Sequence, residues 1–151
     1  MKNDTIDKFK NLLRFSGVFN ILFAFPLIFP VLYTHYLNLL QYFNTILGLG
    51  GKAITIPTNP VHALLINTAG IDLVLIGAIV LVVSRKPRNN RKIIFLNAVG
   101  RLLFASIIAY YVIFTDLIRI VILFGAIDVM ISIGFLYYLS KIRGISRLEP
   151  S

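Results

Sequence analysis

Residues 93–139 read IIFLNAVGRLLFASIIAYYVIFTDLIRIVILFGAIDVMISIGFLYYL. Two apolar runs, Ile93–Phe114 and Leu117–Leu139, flank the dipeptide Thr115-Asp116. A helix rises about 1.5 Å per residue, so each run is long enough to cross a hydrocarbon core of about 30 Å. A connection that short makes the two runs antiparallel neighbours. In the first, Asn97, Arg101 and Ala105 share a helical face at i, i+4, i+8; in the second, Gly125, Asp128, Ser132 and Phe135 share one. An ionisable side chain in hydrocarbon is costly unless paired or hydrated, so Arg101 and Asp128 mark a polar spot inside a helical bundle.

The remainder of the chain extends this reading. It has 151 residues, 58% of them hydrophobic, which is too evenly apolar for an ordinary soluble domain. Of fifteen Lys and Arg, four lie in residues 1–14, five in 85–92 and three in 141–147, leaving Lys52, Arg101 and Arg119. A nucleic-acid binder could share the net charge of +9, but its cations would form one basic face among polar surface. Here they cluster at the ends of apolar runs, the pattern of cytoplasmic loops at a membrane. Nucleic acid is therefore not expected as a partner. The absence of cysteine excludes disulfides, thiolate metal sites and thiol catalysis.

Residues 1–14 (MKNDTIDKFKNLLR) place Ile6, Phe9, Leu12 and Leu13 at helical spacing and read as an amphipathic lead-in lying at the cytoplasmic interface. No cleavable signal peptide is apparent, and the first apolar run reads as a retained span over residues 15–33. Its Ser16, Asn20 and Ala24 form one small, polar stripe expected to face the bundle. Pro26 and Pro30 predict a kink or an early end in its outer half. Residues 34–60 carry a single cation, Lys52, and read as the external loop. Its apolar first half suits a helix lying in the outer interface, ended by Gly48, Gly50 and Gly51. The second span covers residues 63–83, with Asp72 near its centre, Thr68 one turn earlier, and Gly70 and Gly77 forming a packing seam. SRKPRNNRK then makes a basic cytoplasmic turn. Arg119 is close enough to the outer end of span four to reach the interface, and the tail SKIRGISRLEPS is basic, cytoplasmic and expected to fray.

The expected architecture is all-α: a single integral membrane domain over residues 1–151, with spans at 15–33, 63–83, 93–114 and 117–139. Twelve of the fifteen cations fall on one side, which puts both termini in the cytoplasm; the cell (inner) membrane is what the resemblance described below implies. GIDLVLIG around Asp72 aligns with AIDVMISIG around Asp128, and Phe23-Ala24 matches Phe104-Ala105, as two repeated helical hairpins would require.

Asp72, Arg101 and Asp128 all fall near the middle of their spans. They form either a cluster that binds an ion, a proton or a polar headgroup, or a structural ion pair that sets helix register. One arginine cannot neutralise two carboxylates, so one aspartate is expected to be protonated, hydrated or paired elsewhere. The candidate binding residues are Asp72, Arg101, Asp128, Asn20, Asn97 and Ser132. Asn20, Asn67 and Asn97 also suit interhelical hydrogen bonds. His35 and His62 flank the external loop and read as interfacial residues rather than metal ligands, and tyrosines at span ends suit aromatic belts. No HExxH, GxSxG or P-loop motif occurs, so neither a metal, a cofactor nor an enzymatic nucleophile is expected.

In outline the chain resembles small, functionally unassigned four-helix bacterial inner-membrane proteins, including DoxX-like ones. The resemblance covers about residues 62–140 and rests on GID at 70–72, RKPR at 85–88, NAVGR at 97–101 and the aspartate of span four. It implies a bacterial four-helix membrane protein and no activity that attaches to a residue; Arg101 stands where some proteins of this outline are expected to carry lysine. Two functions compete. One is a non-enzymatic accessory or assembly protein, packing against a membrane-protein partner or itself as a homo-oligomer through Gly70, Gly77 and Gly125. The other is a small carrier or binding protein for an ion, proton or amphiphile at Asp72, Arg101 and Asp128. The observation that separates them is whether those charges face a cavity or dry helix contacts.

Overall fold

The computed structural model describes the backbone of residues 2–147 and the side chains of residues 4–142. Its elements are α1 (Lys2–Ala24), a 3-10 turn (Phe25–Ile28), α2 (Pro30–Ile46), α3 (Pro60–Ser84), α4 (Arg91–Phe114), a second 3-10 turn (Arg119–Val121) and α5 (Ile122–Arg147). No strand occurs among the described residues, only an isolated bridge between Lys52 and Leu117. Four segments, at residues 4–28, 60–84, 91–114 and 119–142, are long and apolar enough to cross a membrane. The bundle is all-α, as the apolar runs require.

The lead-in and the first span are one continuous helix, because nothing between residues 2 and 24 interrupts backbone hydrogen bonding. Phe9 and Leu13 are wholly buried rather than spread on a surface. Phe9 stacks on Tyr138 at 5.2 Å between ring centroids and meets Phe135 edge-on at 6.2 Å. With Val80, Val83, Ile94, Ile131 and Ile142 these rings make the dry core, at the basic end of the bundle. The helix ends early, as its prolines predicted: Pro26 lies in the 3-10 turn and Pro30 opens α2, so Tyr33 belongs to the next element.

Packing is pairwise. α1 lies on α3, α4 lies on α5, and α1 and α5 join the two hairpins, whereas α3 and α4 barely touch. The α1–α3 seam is set by missing side chains. A Cβ on Gly77 would sit 2.8 Å from the Gly17 carbonyl oxygen, and one on Gly17 2.8 Å from the Gly77 oxygen. A Cβ on Gly70 would strike the backbone of Leu27 and Ile28 at 2.9 Å. The expected Gly70–Gly77 seam is thus filled by the chain's own α1 and 3-10 turn. At Gly125 a Cβ would make only ordinary contacts, the nearest at 3.5 Å.

At the other end, α2 is tied down by polar side chains. Buried Asn44 donates to the Gly50 carbonyl at 2.9 Å and accepts from the Ile120 N–H at 2.9 Å. Gln41 accepts from the Ile54 N–H at 3.0 Å. Gly48, Gly50 and Gly51 adopt positive φ and end the helix where expected. The connection between α4 and α5 is longer than Thr115-Asp116: residues 115–118 are non-helical and Arg119–Val121 is a 3-10 turn. The reason is a tertiary contact, since Lys52 N–H donates to the Asp116 carbonyl at 2.7 Å, holding this turn against the glycine loop. Arg119 is exposed there and donates to the Leu49 carbonyl at 3.3 Å. At the far end α5 continues as helix to Arg147; the last four residues lie outside those described.

Candidate functional site

Three helices converge on Arg101. Each of their polar stripes follows from i, i+4 spacing, which stacks side chains on one helical face. From its own helix, Asn97 Oδ1 accepts from the Arg101 Nε at 3.1 Å. From α1, Ser16 Oγ and Asn20 Oδ1 accept from Nη2 at 2.8 Å and 2.6 Å. From α5, Asp128 Oδ1 accepts from Nη1 in a buried ion pair. Arg101 is 5% exposed and Asp128 6%. The pair is end-on rather than a two-pronged fork, because the guanidinium turns its other nitrogen toward α1.

Ser132 is fully buried one turn along α5, and its hydroxyl faces the carbonyls of Asp128 at 2.7 Å and Ala98 at 3.1 Å. It therefore ties α4 to α5 beneath the pair. Five of the six expected residues, Asn20, Asn97, Arg101, Asp128 and Ser132, are brought together. Asp72 is not: it is exposed on α3, on the side away from the glycine seam, as is Thr68. The sequence reading had not counted Ser16 as a partner of Arg101, although its position four residues before Asn20 was the signal. Asn44 and Tyr36 gave no such signal.

The polar node is not sealed. A cavity of about 360 Å³ opens between α3 and α4, lined by Leu73, Ile76 and Ile79 on one wall and Leu96, Asn97, Gly100 and Arg101 on the other. A second cavity of about 280 Å³ lies under α2, roofed by Tyr36, Leu37 and Leu40. The two share Asn20, Leu73, Phe104 and Asp128, so they meet at the node. Burial at the roof pushes the Tyr36 phenol up to about 12. Arg101 commits all three of its nitrogens to protein acceptors. Among the described residues nothing donates to Asp128 Oδ2, and nothing accepts from the Asn20 or Asn97 amide nitrogens. The arrangement can offer a guest one acceptor and two donors at the base of an apolar cleft. No group of three or more His, Asp or Glu that could hold a metal occurs among the described residues. His35 and His62 are exposed.

Fold and site together define a multi-span helical membrane bundle with a laterally open cleft and a charged pair at its floor. No protein-family model matches the chain, and neither does any curated protein or solved structure.

Proposed function

We propose that this is a non-enzymatic membrane protein that binds an amphiphile in the cleft between α3 and α4. The observation that carries the reading is that the Asp128–Arg101 pair, although bonded between helices, also lines a cavity. The walls are apolar and suit an acyl or isoprenoid chain, while Asp128, Asn20 and Asn97 suit a polar end. Arg101 holds these three in place and compensates the Asp128 charge, so the site favours a neutral head that both donates and accepts hydrogen bonds. Native mass spectrometry after gentle detergent extraction tests this. The wild type should carry a bound amphiphile, and Leu73→Trp, which fills the junction of both cavities, should lose it without loss of folding. An unliganded wild type, or a variant that keeps its ligand, overturns the proposal.

A second reading, an accessory or assembly protein, is favoured by Asp72. A carboxyl at mid-span on an outward face asks for a hydrogen-bonding partner, from another membrane protein or a second copy. The glycine seam is filled within the chain, so such a partner would dock on the Asp72 face instead.

In the same proposal both termini and the basic turn at 85–92 lie in the cytoplasm of a bacterial inner membrane, in a protein of DoxX-like outline. The cation distribution supports this orientation. Helix α2 then lies in the outer interface, where its exposed Leu39, Tyr42, Phe43 and Ile46 meet lipid. A reporter active only in the periplasm should work when fused near Lys52 and stay silent near Asn90; the reverse pattern inverts the topology. Duplication of a hairpin is supported by the match of Ser16, Asn20 and Ala24 to Asn97, Arg101 and Ala105 at the same offset as the Phe-Ala step. Asn20 stands where Arg101 does in the second hairpin, which leaves Asp72 without the cation that buries Asp128.

A further inference from the structure

The first turn of α4 is electrostatically unfavourable as it stands. Arg91 and Lys92 are the first two residues of a 24-residue helix, where the peptide dipoles already present partial positive charge. Asn90 does not relieve this: its side chain caps no N–H of the turn, and its amide nitrogen donates to the Lys86 carbonyl at 2.9 Å instead. Arg91 is poorly satisfied as well. Among the described residues its Nη2 reaches only the Ile142 carbonyl, at 3.5 Å, and its Nε is buried with no acceptor. A buried donor on a charged group without a partner is among the costlier defects a fold can carry.

Beside these cations lies a cavity of about 420 Å³, lined by Arg91, Lys92, Phe95, Leu96 and Leu139. Phe95 and Leu96 follow Arg91 and Lys92 by four residues, so each apolar wall residue is stacked one turn deeper than a cation. Both are at least half exposed, and both lie within the membrane-length segment of α4. The cavity thus has a basic rim and an apolar wall in register along one helix face.

We infer that this cavity is a binding site for an anionic phospholipid, with the phosphate at Arg91, Lys92 and the open N-terminus of α4, and an acyl chain along Phe95, Leu96 and Leu139. The phosphate oxygens accept from the Arg91 guanidinium and the Lys92 ammonium and supply the anion that the helix end favours. Basic pockets between spanning helices hold anionic headgroups for the same reasons. A free phosphate would use the cations but leave the apolar wall empty, which is why the occupant is a lipid. The site lies at the basic end of the bundle, outside the polar node, and does not depend on the amphiphile reading of the cleft.

The test uses the full chain in phosphatidylcholine vesicles containing a minor fraction of chain-spin-labelled phosphatidylglycerol. Protein-bound label, read from its motionally restricted spectrum, should be enriched over spin-labelled phosphatidylcholine. Each of Arg91→Gln and Lys92→Gln should lower that preference about fivefold, as expected for loss of one cation near the surface. The Arg85→Gln/Arg88→Gln double variant removes two neighbouring charges outside the cavity and should change it far less. Leu139→Trp keeps every charge but fills the apolar wall, and should release the labelled lipid. Equal losses in the Arg85/Arg88 and Arg91/Lys92 variants would show diffuse surface attraction and overturn the inference. Displacement of the lipid by inorganic phosphate alone at low millimolar concentration, or an unaffected Leu139→Trp, would overturn it too.

Discussion

Arg101→Met and Asp128→Leu each lower stability in detergent by about 3–5 kcal/mol, and the double variant recovers much of that loss. The two side chains form an ion pair between α4 and α5, and both are buried. Removing the arginine strands a carboxylate in low dielectric and also leaves Ser16, Asn20 and Asn97 without their common donor. Removing the aspartate leaves a guanidinium with only neutral acceptors. Removing both replaces the charges with apolar surface that α1, α4 and α5 can close upon, while the amides turn to the cleft. A double-mutant cycle on thermal or steric-trap unfolding measures the coupling, which must exceed the smaller single loss, about 3 kcal/mol, for the double variant to recover stability. Additive losses would show that the pair contributes no mutual stabilisation. A stable double variant that no longer carries the amphiphile would separate the stabilising role of the pair from its role in holding the guest.

Gly77→Ala destabilises the bundle by about 1–3 kcal/mol, although it adds a single methyl group and raises helix propensity. The added carbon would lie 2.8 Å from the Gly17 oxygen and 2.8 Å from Ile21 Cγ1. The oxygen belongs to the α1 backbone, so relief requires the two helices to move apart along their whole contact. Gly100→Ala is the matched comparison: a Cβ there meets nothing within 4 Å, so helix propensity alone acts and stability holds or rises slightly. Gly125→Ala, whose Cβ meets Ile108 at an ordinary 3.5 Å, should also be tolerated. Equal stability of Gly77→Ala and Gly100→Ala in detergent unfolding would mean that α1 and α3 are not in the close contact described.

The sequence by itself determined everything that depends on local periodicity. Four runs of sufficient length and hydropathy become four membrane-length helices because backbone polar groups in a bilayer must bond within their own segment. Residues three or four apart share a face by helix geometry alone, so the stripes Ser16–Asn20–Ala24, Asn97–Arg101–Ala105 and Gly125–Asp128–Ser132 were legible before any packing was known. Pro26 and Pro30 end α1 early for an equally local reason.

Only the tertiary structure decided which stripe meets which. Asp72 and Asp128 occupy similar depths in similar sequence, yet Asp128 finds Arg101 and Asp72 faces outward. The difference arises because Gly70 and Gly77 draw the opposite side of α3 onto α1 and its following 3-10 turn, rotating Asp72 away from the bundle. Because α3 is held by α1 and α4 by α5, the two leave a cleft between them, a feature no single helix encodes. Asn44 likewise gave no local sign of its role, since its partners Gly50 and Ile120 lie in two separate connections. Spacing along a helix is a short-range property of the backbone, whereas the choice of neighbour is settled by close packing between segments far apart in the chain.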